Sequence, residues 1–244
     1  MEDAYNCEKL TKEFAHLQGT KQEMNSMVHT LFHRKNMPRK YLYKQVAALI
    51  CFGANPNGIS YTSPLHNAVV NDNVEMVSFL LNHKAHIDIK NNLHFKIRSF
   101  AMAQKLAPYL NIETKSKEDR GFSHYYEETI VHKLTNEPAS DLDLLNYYVE
   151  QSDLANIKDT YGELPLHTLA DNCSRHTKDV MRKKASLLIK KTKNINARDN
   201  SGYTPLDKAL QMPSTPIFWS GFSSCGELIK MLKEHGGKST TQNM

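Results

Sequence analysis

The 244-residue chain has no apolar run approaching the roughly 20 residues that cross a bilayer, which excludes a membrane-spanning helix. Its opening residues, Met1-Glu2-Asp3-Ala4-Tyr5-Asn6-Cys7, lack the basic start and apolar core of a secretory signal. Cysteine is scarce: Cys7, Cys51, Cys173 and Cys225 lie far apart and form no C-x-x-C pair. That spacing predicts free thiols in a reducing cytosol and no disulfide. The net charge of +5 is not accompanied by a basic stripe interleaved with aromatics, so no nucleic-acid partner is expected. The clusters Arg34-Lys35, Arg39-Lys40, Arg182-Lys183-Lys184 and Lys190-Lys191 read instead as solvated faces. Tryptophan is nearly missing, and Trp219 is the only one.

What the chain does have is centred on residues 57–90. Ser63 can cap a helix, and Pro64 suits its first position, where a missing N–H costs nothing. Leu65, Ala68 and Val69 then share one face. Asn71-Asp72-Asn73 breaks that helix, and Val74, Val77, Leu80 and Leu81 recur at helical spacing to begin a second. Two short helices cannot bury their apolar faces alone, so neighbours of the same kind must stack on them.

The motif Ser63-Pro64-Leu65-His66-x-Ala68 is one residue from T-P-L-H-x-A, and Val77-x-x-Leu80-Leu81 with Ala85 and Asp88 continues it in register. The stretch resembles the ankyrin-repeat family. The resemblance implies an all-α fold, an α-solenoid of about six ankyrin-like repeats with short β-turn or finger connections. Thr160-Tyr161-Gly162-Glu163-Leu164-Pro165-Leu166-His167 and Gly202-Tyr203-Thr204-Pro205-Leu206-Asp207 are further strong matches. The units near Met27-Val28-His29, Phe95–Asn111 and Thr129-Ile130-Val131-His132 are weaker, and the second of these looks shortened. Gly162 and Gly202 stand three residues before their prolines, where a finger turn favours positive φ. Residues 1–22 are expected to form an N-terminal capping helix, 23–238 the divergent repeat domain and 239–244 a disordered tail. Residues 115–126 read as an extended finger or loop. The spacing predicts that Pro64 and Pro165 start helices, that His66 and His167 are buried with polar partners, and that Leu80, Leu81, Leu188 and Ile189 are core.

Twelve histidines suggest metal or catalysis, but His29, His66, His132 and His167 recur with the repeat and so read as structural. His83 and His86 read as surface histidines without a metal. No cofactor and no catalytic residue is expected, and Cys173, in a polar insert, carries no nucleophile signature. Gly236-Gly237-Lys238-Ser239 lacks the leading glycine of a phosphate loop, because Leu232 stands there.

The resemblance implies a monomeric module that docks a protein partner on a concave surface of fingers and first helices. The partner-binding candidates are Tyr61, Asn91, Asn92, Tyr161, Asn200, Tyr203 and Trp219. Tyrosines rank first, since they give much contact area for little lost entropy. The divergent repeats and uneven inserts resemble those of pathogen effectors that act on host proteins in the host-cell cytosol. A eukaryotic cytosolic scaffold is the second reading, and an enzyme with a Cys/His site in the inserts the third. The apolar insert 212–222, which carries Trp219 between Pro213, Pro216 and Phe222, either seals the end of the stack or anchors a partner.

Overall fold

A computed structural model describes residues 5–32, 37–58, 63–87, 96–110, 115–119, 125–138, 141–211 and 222–240. Tyr61, Asn91, Asn92, Trp219 and most of the 212–222 insert lie outside them. The chain divides into two compact units, Met1–Leu110 and Asn111–Met244, each built of short helix pairs.

The first unit opens with α1 (Cys7–Glu13), which buries Leu10 and Phe14 against α3. A 3-10 turn, Ala15–Leu17, leads to the pair α2 (Lys21–Phe32) and α3 (Arg39–Cys51). Gly53, at φ +106°, stops α3 as only glycine does without strain. The next pair is α4 (Pro64–Val70) and α5 (Val74–Asn82). Pro64 sits at the start of α4, and Ser63 Oγ accepts from His66 N at 3.1 Å. Asn73 caps α5 in the same way, accepting from Met76 N at 2.9 Å. Tyr43 OH donates to Asn67 O at 3.0 Å and so ties α3 to α4. The third repeat is short: α6 (Phe100–Leu106) is followed by one 3-10 turn, Ala107–Tyr109, where a second helix would stand. Leu80 is fully buried, whereas Leu81 is half-buried. His66 departs from expectation: it is half-buried rather than largely buried, and residues 88–95, where the next finger would stand, lie outside the described residues.

The second unit begins with an antiparallel hairpin, β1 (Ser116–Asp119) paired to β2 (Tyr125–Glu128), where the sequence suggested a long finger. Three helix pairs follow. They are α7 (Ile130–Asn136) with α8 (Leu142–Gln151), α9 (Pro165–Asp171) with α10 (Lys178–Lys191), and α11 (Pro205–Gln211) with α12 (Phe222–Glu234). First helices pack on first helices, α7 on α9 and α9 on α11, while α8, α10 and α12 form the second layer. Leu188 and Ile189 are buried between the layers. Ser239 and Thr240, read from sequence as part of a loose tail, both hydrogen-bond Asp207.

The expectation of free thiols is overturned. Cys7 is bonded to Cys51 and Cys173 to Cys225, with Cα separations of 5.5 and 4.9 Å, and no cysteine remains free. Partners 44 and 52 residues apart meet because packed helices bring distant residues together, so spacing along the chain sets no bound. Cys173 is therefore no thiol nucleophile in this state, and its lone position in the polar insert is explained by α12 lying over it.

The basic run 182–184 also divides. Arg182 pairs with Glu227 at 3.0 Å and Lys183 with Asp179 at 2.8 Å, both on the surface. Lys184 is fully buried, and its Nζ donates to Leu134 O, Thr135 O and Glu137 O at 2.8, 3.2 and 2.7 Å. An ammonium has three N–H donors, and here three carbonyls at the end of α7 take them. Burial pushes its pKa down to about 8, but with every donor used the residue is a helix cap rather than a reactive amine.

Candidate protein-binding surface

In the second unit the described finger turns are each built around one aspartate. Asp159 Oδ1 accepts from Tyr161 N and Glu163 N, both at 2.8 Å. Asp199 Oδ1 accepts from Ser201 N at 2.8 Å and Tyr203 N at 2.9 Å. A short acceptor side chain that bonds its own backbone two residues on is what fixes such a turn. Gly162 and Gly202 complete the turns at φ +74° and +84°, as their position before the prolines predicts.

The fingers are joined edge to edge. Asn200 N donates to Tyr161 O at 2.9 Å, and Asn200 Nδ2 to Thr160 O at 3.2 Å. On the other side Thr160 N donates to Glu127 O at 3.1 Å, and Glu127 N to Thr160 Oγ1 at 2.7 Å. The hairpin and both turns thus make one backbone-bonded edge. Gly162 is pressed against Asn200 so closely that no Cβ could be added there.

Beneath this edge, histidines tie each first helix to the next finger. His132 Nδ1 accepts from Thr129 N at 3.3 Å, so Nε2 carries the proton and donates to Glu163 O at 2.9 Å. His167 repeats the pattern: Nδ1 accepts from Leu164 N at 3.0 Å, and Nε2 donates to Ala197 O at 3.0 Å and Tyr203 O at 3.2 Å. Both rings are fully buried. Burial, partly offset by the bond to Glu163 O, pushes His132 down to about 4, and burial lowers His167 too. In the last repeat Asp207 takes the histidine's place, and it faces donors instead of a carbonyl. Its carboxylate accepts from Thr204 N at 2.9 Å, Ser239 Oγ at 2.6 Å and Thr240 N at 2.9 Å. Burial opposes its charge, but the bonds from Ser239, Thr204 and Thr240 outweigh that and hold it below the usual carboxylate range.

One cation locks the two turns. Lys208 Nζ, largely shielded, lies 2.5 Å from Glu163, 3.0 Å from Asp171 and 3.2 Å from Asp199. Burial works against its charge, but Glu163 and Asp171 prevail and keep it protonated. Sequence reasoning missed this residue, because a lysine three residues before the end of a short helix has no distinguishing pattern.

Of the described candidates, Tyr161 stands out from the edge with 54% of its surface exposed. Tyr203 is half-buried beside it in the neighbouring turn, and Asn200 is exposed but has its side-chain amide engaged with Thr160. The three lie on adjacent turns that touch.

In the first unit a separate cleft of about 260 Å³ is lined by Tyr5, Arg39, Lys40, Tyr43, Lys44 and Asn71, among others. It gathers Arg39, Lys40 and the nearby Tyr43 with Tyr5, which the linear sequence places 34 residues before Arg39.

A family model for the ankyrin repeat matches residues 60–92. No curated protein sequence matches the chain. Among solved structures, a chain from the complex of a predatory endopeptidase of Bdellovibrio bacteriovorus with an immunity protein is similar, with 18% identity and a TM-score of 0.52. That match covers 78% of this chain and 91% of the other, and at such identity the likeness is one of fold. An ankyrin repeat domain from Acinetobacter baumannii AYE is 16% identical, covers 93% of this chain and 100% of that one, and has a TM-score of 0.41. The repeat match and the paired helices agree on the fold class, an all-α solenoid.

Proposed function

We propose that this chain, an ankyrin-repeat protein, docks a protein partner on the finger edge of its second unit, with Tyr161 as the central contact and Tyr203 beside it. The observation that carries the reading is an aromatic side chain, 54% exposed, on a turn fixed by backbone bonds to both neighbours. A preorganised aromatic loses little entropy on binding, which is why such residues dominate interface energetics. Tyr61, Asn91 and Asn92, which belong to the first unit, and Trp219 are proposed as partner contacts in their own right, and the chain is proposed to be a monomer. The finer form, an effector that engages a host protein, draws its support from the divergent repeats and uneven inserts.

The Cys/His enzyme reading has no free thiol to start from, since Cys173 is bonded to Cys225. Two disulfides also favour export over a reducing cytosol, where thiol reductants would open them.

The test is affinity capture from lysate with wild type and Tyr161→Ala in parallel, followed by a binding isotherm with the captured protein. Loss of an exposed hot-spot tyrosine should weaken binding by about 2 kcal/mol, roughly 30-fold, with the melting point unchanged. Equal affinity for the two proteins would remove Tyr161 from the interface.

A further inference from the structure

Three soft metal ligands meet in the first unit, at a place where repeat packing requires none of them. Cys7 opens α1, Cys51 closes α3, and His83 follows the last residue of α5. Their ligand atoms all lie within 4.8 Å of one another. Cys7 Sγ is 3.7 Å from His83 Nε2. His83 Nδ1 is 2.8 Å from Phe79 O, and a carbonyl can only accept, so Nδ1 carries the proton and the Nε2 lone pair faces the sulfur. The ring also rests on Phe79, with centroids 4.1 Å apart, which fixes its plane. Metal-binding histidines are oriented in this way, by a backbone carbonyl on the far nitrogen. All three residues are half-buried, so an ion can reach them. Among the described residues the Cys173–Cys225 pair has no such third ligand.

We propose that Cys7, Cys51 and His83 form a redox-gated zinc site, a disulfide when oxidised and a Cys2His zinc centre when reduced. A thiolate pair with imidazole is a donor set suited to Zn²⁺. Zinc–sulfur bonds of about 2.3 Å and zinc–nitrogen bonds of about 2.0 Å set the tetrahedral S···N edge near 3.6 Å and the S···S edge near 3.8 Å. The observed S···N distance of 3.7 Å already has that length. The two sulfurs must part and Cys51 Sγ, within 4.8 Å of the imidazole nitrogen, must settle at the same edge length, which side-chain rotation provides with the Cα atoms left 5.5 Å apart. Three protein ligands leave the fourth position to water.

The chemistry balances. A dithiol reductant gives the disulfide two electrons and two protons and itself becomes a disulfide. Zn²⁺ then binds both sulfurs and releases the two thiol protons to water. A disulfide oxidant reverses the sequence: it takes two electrons from the thiolates and two protons from water, the Cys7–Cys51 bond re-forms, and Zn²⁺ leaves. In both states α1 stays pinned to α3, and zinc adds the end of α5 to the staple.

The full chain, reduced with dithiothreitol and desalted without oxygen, is titrated with Zn²⁺ against a chromophoric chelator and with Co²⁺ as a spectroscopic probe. The expected result is one equivalent bound, with thiolate-to-cobalt charge transfer and the visible bands of a tetrahedral site, and no binding by the oxidised protein. His83→Ala, which leaves the disulfide free to form during folding, should weaken the reduced protein's zinc affinity roughly 100-fold. Cys173→Ser/Cys225→Ser should leave it unchanged. Failure of the reduced wild type to bind would overturn the proposal. So would unchanged affinity in His83→Ala, equal binding by the oxidised chain, or loss of the site in the Cys173/Cys225 double variant.

Discussion

At the scale of single residues, buried histidines decide how this protein responds to acid. His132 titrates near 4 in the fold against an ordinary 6.5, and His167 is lowered as well. Between those values the unfolded chain binds more protons than the folded one, so stability is lost as pH falls from about 6.5 toward 4. Above 6.5 both states are neutral there and the term vanishes. The carboxylate of Asp207, held low, adds its own loss only below the ordinary aspartate pKa of about 4. His176 is buried too, but it lies outside the first helices that hold His132 and His167. It is 3% exposed, neither ring nitrogen makes a well-formed hydrogen bond among the described residues, and burial lowers it to about 4 even though the Thr135 backbone beside it favours the charged ring. Replacing an unsatisfied buried polar group by an apolar one of similar size is nearly neutral or stabilising. His176→Leu should therefore match or exceed wild-type stability at pH 7 and show a shallower loss between pH 7 and 5. Urea melts at the two pH values measure both quantities. A loss above about 2 kcal/mol at pH 7 would mean that the ring is bonded after all.

At the scale of elements, the two finger glycines make a matched pair with different costs. Both have positive φ, which penalises any side chain by roughly 1 kcal/mol. A methyl at Gly202 meets nothing within 4 Å, whereas one at Gly162 runs into Asn200. Gly162→Ala should cost about 2–4 kcal/mol and Gly202→Ala about 1, read from denaturant midpoints. Equal losses would show that the edge between the turns is loose. The turns, the proline-started helices α4, α9 and α11, and the shortened third repeat were legible because each is specified by neighbours in the chain. Ser63-Pro64 and Leu164-Pro165 start helices locally, as anticipated. Lys184, Lys208 and the disulfides were not legible, because what defines them comes from other elements. The carbonyls that hold Lys184 lie 47–50 residues away, and the acids around Lys208 sit on α9 and two separate turns. His66 misled for the same reason, since the shared motif fixes its place in the helix but not what packs over it.

At the scale of the whole molecule, each unit carries one cross-link, and each link closes a long loop. Separations of 44 and 52 residues correspond to about 4 kcal/mol apiece in the chain-entropy account, an upper figure. Reduction without zinc should lower the unfolding free energy by several kcal/mol, seen as an earlier urea midpoint with dithiothreitol than without. An unchanged midpoint would mean that neither link constrains the unfolded chain. The central claim is that the joined finger edge is where a protein partner docks. Hydrogen–deuterium exchange of the complex with the captured partner tests this most directly, because it reads every amide at once. The account predicts new protection confined to 125–128, 159–163 and 199–203, with little change along α8, α10 and α12. Protection concentrated on those second helices, with the fingers exchanging as in the free protein, would contradict it.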